Sequence, residues 1–532
     1  MDQIPRANLT GSDIVTFIDV VTTNLETLAP LLDDLNALRG ADFDTGSNAS
    51  RTVQAVSRML RSADIDREHA GSVLAACTLY ARTGAVGHVG LLIANTIAAL
   101  AQAVTGSLVR PIDLRKFLSA LPDVMERGFS HPDPEIMVMV RAAQMVADKT
   151  SDPIDAVHVM IGEASMEAQG ALIEETSGWV NPGAGVLTVL FAALHSLYEN
   201  DDHPLTVVSD MMRDLATTAS RKPLTANEPE AGAEFSVDFH VDCAIEDFDQ
   251  FVGWLTERDS RYSVSGAVDV LGMGSWRFHI DTSSPTSVLP SRGWVRHIVA
   301  KDARYGELIG HDELALQQEA SGVLYLSRPT WQRPDTVRVI ALLRNSYFLD
   351  EVAATGAHVV FNPDTHDAVT VAELMRSAPA GVSLILPADL KAQEVAERAL
   401  RLASDTDDVT VVCDREPFSD VAVSVCAVEC APIFMPSVGA RTATVTAEVL
   451  TSHVKRAKGR VAIVHDADLE NMYSQLIQLI GYGLQRVLVL ATDDTAQALS
   501  DIVARALVER NQGTAHVEVI SADANEVVLV NA

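Results

Sequence analysis

The chain has 532 residues, more than one hydrophobic core usually holds, so about three domains are expected. Its 48% hydrophobic and 21% charged residues are typical of a folded protein and exclude a disordered one. The formal net charge of −32 argues against binding to nucleic acid or to anionic lipid, because both partners require clustered Lys and Arg. A magnesium nucleotide, or a partner protein with a basic face, remains compatible with this charge.

Residues 10 to about 200 are predicted to be helical throughout. Apolar residues recur at helical spacing over 14–25 and again over 28–38. Further helices are predicted over 51–60, 70–80, 90–104, 112–125, 136–147, 162–175 and 185–198. About eight or nine helices without a convincing strand indicate an antiparallel bundle or a helical barrel.

An oxygen-rich turn, Ala-Asp-Phe-Asp-Thr-Gly-Ser-Asn, occupies residues 41–48 between two of these helices. Asp42 and Asp44 can direct oxygens at one hard cation, Mg²⁺ or Ca²⁺. Gly46 permits a tight backbone, and three short side chains beside it could hold a phosphate: Thr45, Ser47 and Asn48. The same residue types also cap helices, so a plain helix start remains an alternative.

Two glycine-rich segments, residues 84–90 and 180–185, each lead into a predicted helix. A glycine-rich loop at a helix start leaves peptide N–H groups free and places a positive dipole end beside them, which suits phosphate. Glycine also lets two helices approach closely, so helix packing is the alternative explanation.

The pattern changes in the second half of the chain. Pro-rich, charged residues around 201–234 predict a linker, and alternation over 235–241 and 276–280 predicts strands around a helix at 246–258. From residue 337 onward, short apolar strands alternate with helices, which favours mostly parallel sheets.

The remaining composition points to a cytoplasmic protein. Five scattered cysteines match no zinc or disulfide pattern, which predicts buried free thiols in a reducing compartment. The N-terminus has no basic region followed by an apolar one, so no signal peptide is expected. The apolar stretch 91–104 is too short for a membrane span and is predicted to be a buried helix.

Taken in order, these landmarks resemble the large ATP-binding subunit of bacterial fatty acid kinase, whose first domain is similar to the L subunit of dihydroxyacetone kinase. The family's Asn-Val-Phe-Pro-Val-Pro-Asp-Gly-Asp-Thr-Gly-Thr-Asn-Met corresponds to residues 36–49 (Asn-Ala-Leu-Arg-Gly-Ala-Asp-Phe-Asp-Thr-Gly-Ser-Asn-Ala). Further motifs correspond to residues 84–90, 133–139, 180–184, 278–282, 361–365 and 386–387, so the likeness covers nearly the whole chain.

The resemblance implies an all-α helical barrel over 1–204 that binds ATP and Mg²⁺. A linker (205–234), a middle α+β domain (235–330) and a C-terminal α/β domain (331–532) that docks an acyl carrier would follow. Asp42 and Asp44 would be the catalytic metal ligands. The residues implied to contact the nucleotide are Asn36, Thr45, Gly46, Ser47, Asn48, Gly87, His88, Gly90 and Gly183.

In that family the γ-phosphate passes to the carboxylate of a fatty acid held by a separate acyl-binding protein. We therefore expect an ATP- and Mg²⁺-dependent kinase with such a carrier as partner, no nucleic-acid partner and no membrane span. A homodimer remains open. Activity of the glycerone (dihydroxyacetone) kinase type is a weaker alternative, because no substrate-holding His site is visible.

Several residues depart from the family pattern. Phe43 replaces a Gly, His88-Val89 replaces Asn-Ser, Glu135 replaces a Thr, and Asn181-Pro182 replaces Asp-Ala. Losing several phosphate contacts together could abolish turnover, so a catalytically impaired relative that binds nucleotide or a partner is the main alternative.

A further departure concerns the middle domain, where the family carries a Cys and two His residues. Ser236, His279 and Asp281 stand at the matching positions. Because Ser and Asp are poorer zinc ligands than Cys and His, we predict no structural zinc there. His279 is expected to be a strand residue that packs or forms hydrogen bonds.

Overall fold

The computed structural model of the chain falls into two compact units. Unit 1 comprises residues 1–296 and 303–333, and unit 2 comprises 297–302 and 334–532. The structure describes residues 6–37, 44–149, 157–173, 180–218, 233–303, 337–376, 382–403, 410–413, 418–430, 442–466, 468–481, 483–522 and 525–531. Asp42, Phe43 and the break predicted near residue 328 lie outside these ranges.

Unit 1 begins with helices whose neighbours in sequence are also neighbours in space. In its described part these are α1 Gly11–Ala37, α2 Thr45–Ser62, α3 Ala70–Gly84, α4 Gly87–Ala103, α5 Pro111–Gly128, α6 Pro134–Lys149, α7 Val157–Ile173, α8 Pro182–Glu199 and α9 His203–Thr218. Helix α8 also packs against α1. The prediction that the first region is helical is thus confirmed for its described residues. Helix α9 occupies the beginning of the segment that we expected to be a linker.

Two helices form the centre of this region. Helices α4 and α8 are apolar around most of their circumference, and almost every residue of each is buried. A helix that is apolar on all sides is stable in water only when other helices surround it. The predicted buried helix over 91–104 is therefore present as most of α4.

Helix α1 is one continuous element, although two helices were predicted in its place. Pro30 lies inside it, and the buried residues Leu25, Leu28 and Leu32 continue the same apolar face across the proline. Burial of that face offsets the hydrogen bond that proline removes. The stretch Gly11–Asp33 is also long and apolar enough to cross a membrane by length and composition, and 44% of its most apolar window is buried in the bundle.

A sheet follows the helices within unit 1. It contains β1 Phe235–Ala244, β2 Tyr262–Val268 and β3 Met273–Thr282, in the order β2-β3-β1, with α10 Ile245–Glu257 after β1. Phe239 lies opposite Phe278, and their rings stack at 5.3 Å. Phe251 of α10 packs edge-on against Phe278 at 5.4 Å. The strands predicted on either side of a helix near 246–258 are therefore confirmed, and α10 packs against their apolar face.

Strand β4, Trp294–Asp302, leads into unit 2. The first layer there contains β5 Arg338–Leu343, α11 Leu349–Ala353, β6 His358–Phe361, α12 Ala368–Arg376, β7 Val382–Pro387, α13 Leu390–Ala403 and β8 Thr410–Cys413. Its strands have the order β4-β6-β5-β7-β8. Only β4 runs antiparallel to its neighbour, and the other described pairs are parallel.

The rest of unit 2 contains α14 Asp420–Cys430, α15 Thr442–Gly459, β9 Val461–His465, α16 Leu469–Leu479, β10 Leu484–Ala491, α17 Ala496–Glu509, β11 His516–Ser521 and β12 Glu526–Asn531. Its sheet has the order β11-β10-β12-β9, and β12 is antiparallel to both neighbours. The expectation of mostly parallel sheets is therefore wrong for this part. We did not predict β12 or helices α14 and α15. Strand β12 is a short apolar run and α14 is apolar along most of its length, so neither shows periodicity.

The cysteines are thiols in the described structure. Four are buried and Cys413 is half-buried. The prediction of free thiols is confirmed for all five. The buried ones are Cys77, Cys243, Cys426 and Cys430.

Candidate functional site

The first turns of α2, α4, α6 and α8 lie together at one end of the helical region, and we call them the helix-start cluster. Asn48 of α2 lies against Gly87, the first residue of α4. Gly183 in the first turn of α8 lies against Leu92 of α4 and Ile136 of α6. The peptide N–H groups of each helix start carry partial positive charge. The structure thus brings together loops that the sequence separates by about 140 residues.

The beginning of α2 is joined to the end of α1 by a buried carboxylate. Asp33 is fully buried and accepts the peptide N–H of Ser47 at 3.0 Å and its hydroxyl at 2.6 Å. Asn36, one turn later on α1, is also buried, at 8% exposure. Both donors of Ser47 that were predicted to contact phosphate therefore already bind Asp33.

Asp44 immediately precedes α2 and is 6% exposed. Its backbone carbonyl accepts the N–H of Asn48 at 2.7 Å, while its carboxylate does not cap the helix. Thr45 is half-buried as the first residue of α2. The interpretation of this turn as a simple side-chain cap is therefore not supported at Asp44. Asp42, the second predicted metal ligand, lies outside the described residues.

Gly46 has a packing role. A Cβ at this position would lie 2.1 Å from the carbonyl oxygen of Ala29 on α1, much closer than any real contact. Only glycine therefore allows α1 and α2 to approach this closely. The alternative of close helix packing, raised for the glycine-rich loops, applies to Gly46.

The beginning of α4 combines a strained backbone with free donors. Gly87 has φ +69°, and a side chain there would also meet Asn48. Gly90 packs against the hydroxyl of Thr52 and donates its N–H to Val86. Within the described part of the chain, the peptide N–H groups of Gly87, His88 and Val89 have no acceptor, and Val86 provides no side-chain cap. Such N–H groups at a helix start can bind water, a side chain or an anion such as phosphate.

The beginning of α8 is capped by protein groups instead. Asn181 accepts the N–H of Ala184 at 3.0 Å and also contacts Asp133, and Pro182 contributes no N–H. Burial and the neighbouring Glu135 raise the pKa of Asp133 to about 6. The start of α8 is therefore capped by an amide that also contacts an acidic side chain, an arrangement poorer in free donors than the start of α4.

His88 turns away from the helix-start cluster. Its ring nitrogens lie 2.9 Å from Ser263 Oγ on β2 and 3.0 Å from Asp281 Oδ2 on β3. Burial lowers the pKa of His88, so the neutral ring donates from Nε2 to Asp281 and accepts from Ser263 at Nδ1. The structure does not bring the His88 side chain together with the other predicted nucleotide contacts.

The polar face of the β1–β3 sheet is buried, which alternation alone did not reveal. Asp238, Arg277 and His279 are 8%, 7% and 3% exposed. With Asp281, His88 and Ser263 they form what we call the polar network. Its members on α4 and β3 are 193 residues apart, so sequence reasoning missed this arrangement. The sequence signal that could have indicated this network is the charged residue at every second position of β1 and β3.

The polar network balances its own charges. His279 lies 3.2 Å from Asp238 and 3.6 Å from Asp281, and Arg277 lies 3.5 Å from Asp238. Although burial opposes it, Asp238 and then Asp281 raise the pKa of His279 to about 10. The two imidazoles hold the pKa of Asp281 well below its usual range, against the effect of burial. Two carboxylates therefore face the imidazolium of His279 and the buried guanidinium of Arg277, and the half-exposed Arg261 lies 3.7 Å from Asp281.

His88, His279 and Asp281 are close enough to hold a metal ion. A cation there would have to displace the proton of His279, which two carboxylates stabilise. Ser236 lies directly across from Asp281 in the sheet and offers only a hydroxyl. The donor set therefore suits a protonated ion-pair network. His279 is a strand residue whose ring packs edge-on against His88 at 4.4 Å, as predicted.

No known protein family matches the chain, and no curated protein is similar to it. The family resemblance therefore rests on the residues quoted above.

Proposed function

We propose that unit 1 binds a magnesium nucleotide at the helix-start cluster, and that the chain is a catalytically impaired member of the fatty acid kinase large-subunit family. The observation that carries the proposal is the start of α4. Gly87 and Val89 are buried, yet the N–H groups of residues 87–89 have no acceptor among the described residues. A triphosphate would supply acceptors, and Asp44 with Asp42 would hold Mg²⁺ beside it.

The proposed impairment follows because side chains that could contact the nucleotide are already bound to other residues of the protein. Phosphoryl transfer depends on donors and metal placed around the developing charge. Ser47 binds Asp33, and His88 binds the polar network. Asp133 and Glu135 add negative charge at neighbouring helix starts. The protein would thus retain the phosphate cradle and lack several groups that accelerate transfer, which suits a nucleotide- or partner-binding regulator.

A second candidate is an active kinase that phosphorylates a fatty acid carboxylate on a separate acyl-binding protein. It is favoured by Asn36 and Asp44, which are both buried beside the Asp33–Ser47 contact, where a helical-barrel kinase of the dihydroxyacetone type would hold its metal. The two candidates share the nucleotide site and differ only in turnover.

Calorimetric titration of the full chain with Mg-ATP tests the proposal. We expect binding in wild type that weakens at least about tenfold in Asp44→Asn, since the metal loses a ligand charge. Asp123→Asn, which changes an exposed carboxylate on α5, is the matched control and should bind like wild type. Absence of binding at millimolar nucleotide would refute the proposal.

ADP release with an acyl-loaded carrier then separates the two candidates. The impaired protein should release no more ADP than Asp44→Asn does. A rate in wild type about 100-fold or more above that variant would instead establish the active kinase.

A further inference from the structure

A cluster of His and Asp side chains in unit 2 lies where β4 meets the loop after β6. The antiparallel ladder ends at the pair Ile298 and Phe361. His297, which precedes Ile298 in β4, has φ 53°, and Asn362, which directly follows β6, has φ 48°. Both have a left-handed backbone, which is unusual for residues other than glycine. One nitrogen of His297 and one oxygen each of Asp364 and Asp367 lie within 4.8 Å of one another.

These side chains are held in place by the backbone of the loop. His297 Nδ1 lies 2.6 Å from Asp367 Oδ1, while the other oxygen of Asp367 accepts the N–H of Asp364 at 2.7 Å. Asp364 Oδ1 accepts the N–H of His366 at 2.6 Å. Asp367 is almost fully buried, and the side chain of Asp364 is 41% exposed. One carboxylate is thus fixed inside the protein and the other faces the approach from solvent.

We propose that His297, Asp364 and Asp367 form a binding site for a divalent transition metal, with Zn²⁺ as the best fit. One imidazole and two carboxylates carry two negative charges and match the nitrogen and oxygen ligands of zinc. Ligands of one zinc ion lie about 3 to 3.5 Å apart, so binding requires His297 and Asp367 to separate by less than about 1 Å.

A fourth ligand is available nearby. The ring of His366 lies 6.4 Å from that of His297, its side chain is 81% exposed, and it already contacts Asp364 at 3.2 Å. Rotation of this exposed side chain would complete a tetrahedral site that ties β4 to the loop before α12. With His366 turned out, the metal would keep a position open for an oxygen ligand from solvent.

Ordinary helix capping competes with this proposal. The bonds of Asp364 and Asp367 to neighbouring N–H groups also stabilise the start of α12, and they need no metal. Capping does not account for His297, which reaches the same carboxylate from a separate strand. It also does not account for the proximity of His366.

Zinc titration of the metal-stripped full chain tests the site. Wild type is expected to take up one more equivalent of zinc than either single variant, His297→Gln or Asp364→Asn. Where a variant still takes up that equivalent, wild type should bind the zinc at least about tenfold more tightly. Asp364→Asn keeps an amide oxygen that can accept the His366 N–H, so it should fold like wild type.

Two control variants separate this site from other imidazoles. Asp281→Asn alters the polar network of unit 1, and His465→Gln removes an exposed imidazole that lies 3.7 Å from Glu526. Both should take up zinc at the unit 2 site as wild type does. Zinc should also raise the melting temperature of wild type but not of Asp364→Asn. Equal zinc uptake by wild type, His297→Gln and Asp364→Asn, or loss of uptake in His465→Gln alone, would overturn the proposal.

Discussion

The helix-start cluster and the polar network share the first turn of α4, yet they are stabilised in different ways. At the helix-start cluster several contacts are close approaches at glycine, since Gly46 packs against Ala29 and Gly87 packs against Asn48. In the polar network they are made by ionised side chains, chiefly His279 with Asp238 and Asp281. The first region leaves N–H groups available for a ligand, whereas the second neutralises itself. We infer that binding belongs to the first region and structural stability to the second.

The largest expected effect comes from breaking the polar network at His279. His279→Gln removes the cation between Asp238 and Asp281, so that Asp238 keeps Arg277 and Asp281 keeps His88 and the half-exposed Arg261. Loss of this buried ion pair should cost about 3 to 5 kcal/mol of unfolding free energy. Scanning calorimetry of the full chain measures the loss. His465→Gln, an exposed histidine, should change stability by less than about 0.5 kcal/mol. Equal stability of the two variants would show that the network contributes nothing.

The same histidine predicts a dependence on pH. Because its folded pKa of about 10 exceeds the ordinary 6.5, its contribution is fully present below pH 6.5 and is lost as pH rises through about 10. Asp281 has a lowered pKa, so its contribution is lost instead as pH falls below its ordinary value. Melting temperatures between pH 6.5 and 10 should decline less steeply in His279→Gln than in wild type. Parallel declines would contradict the assigned ion pair.

A smaller effect is expected where backbone packing dominates. Gly46→Ala places a methyl group against the Ala29 carbonyl and should destabilise by about 1 to 3 kcal/mol as α1 and α2 separate. Gly106→Ala is the matched control, since no atom lies within 4 Å of its added Cβ. Urea unfolding compares the two variants. A neutral Gly46→Ala would show that the close approach of α1 and α2 is unimportant.

The smallest effect concerns the capped start of α8. The raised pKa of Asp133 means that its ionisation penalises the folded state, and this penalty develops as pH rises from 3.8 through about 6. Asp133→Asn should therefore be more stable than wild type at pH 8, by about 1 kcal/mol at most, and not at pH 3.5. Thermal melts at both values check this. A variant that is more stable than wild type at pH 3.5 but not at pH 8 would contradict the raised pKa of Asp133.

Local features of this chain were predictable, and long-range ones were not. Gly46, Asp44 and Gly87 stand out because turns and helix starts depend on neighbouring residues. The partner of His88 is 193 residues away, so no pattern around His88 identifies Asp281. Alternation along β1 and β3 correctly separated two faces, yet the polar face proved to be buried beneath α4. Similarly, β12 lies beside β9, and no short-range signal marks that antiparallel pairing.

A structure of the full chain with Mg²⁺ and a non-hydrolysable ATP analogue tests the central claim most directly. We predict phosphate oxygens within hydrogen-bonding distance of the N–H groups of residues 87–89, with Mg²⁺ bound by Asp44 and Asp42. The His88 side chain should remain on Asp281. Analogue bound elsewhere, or none bound at saturating concentration, would contradict the claim that the beginning of α4 is a phosphate site.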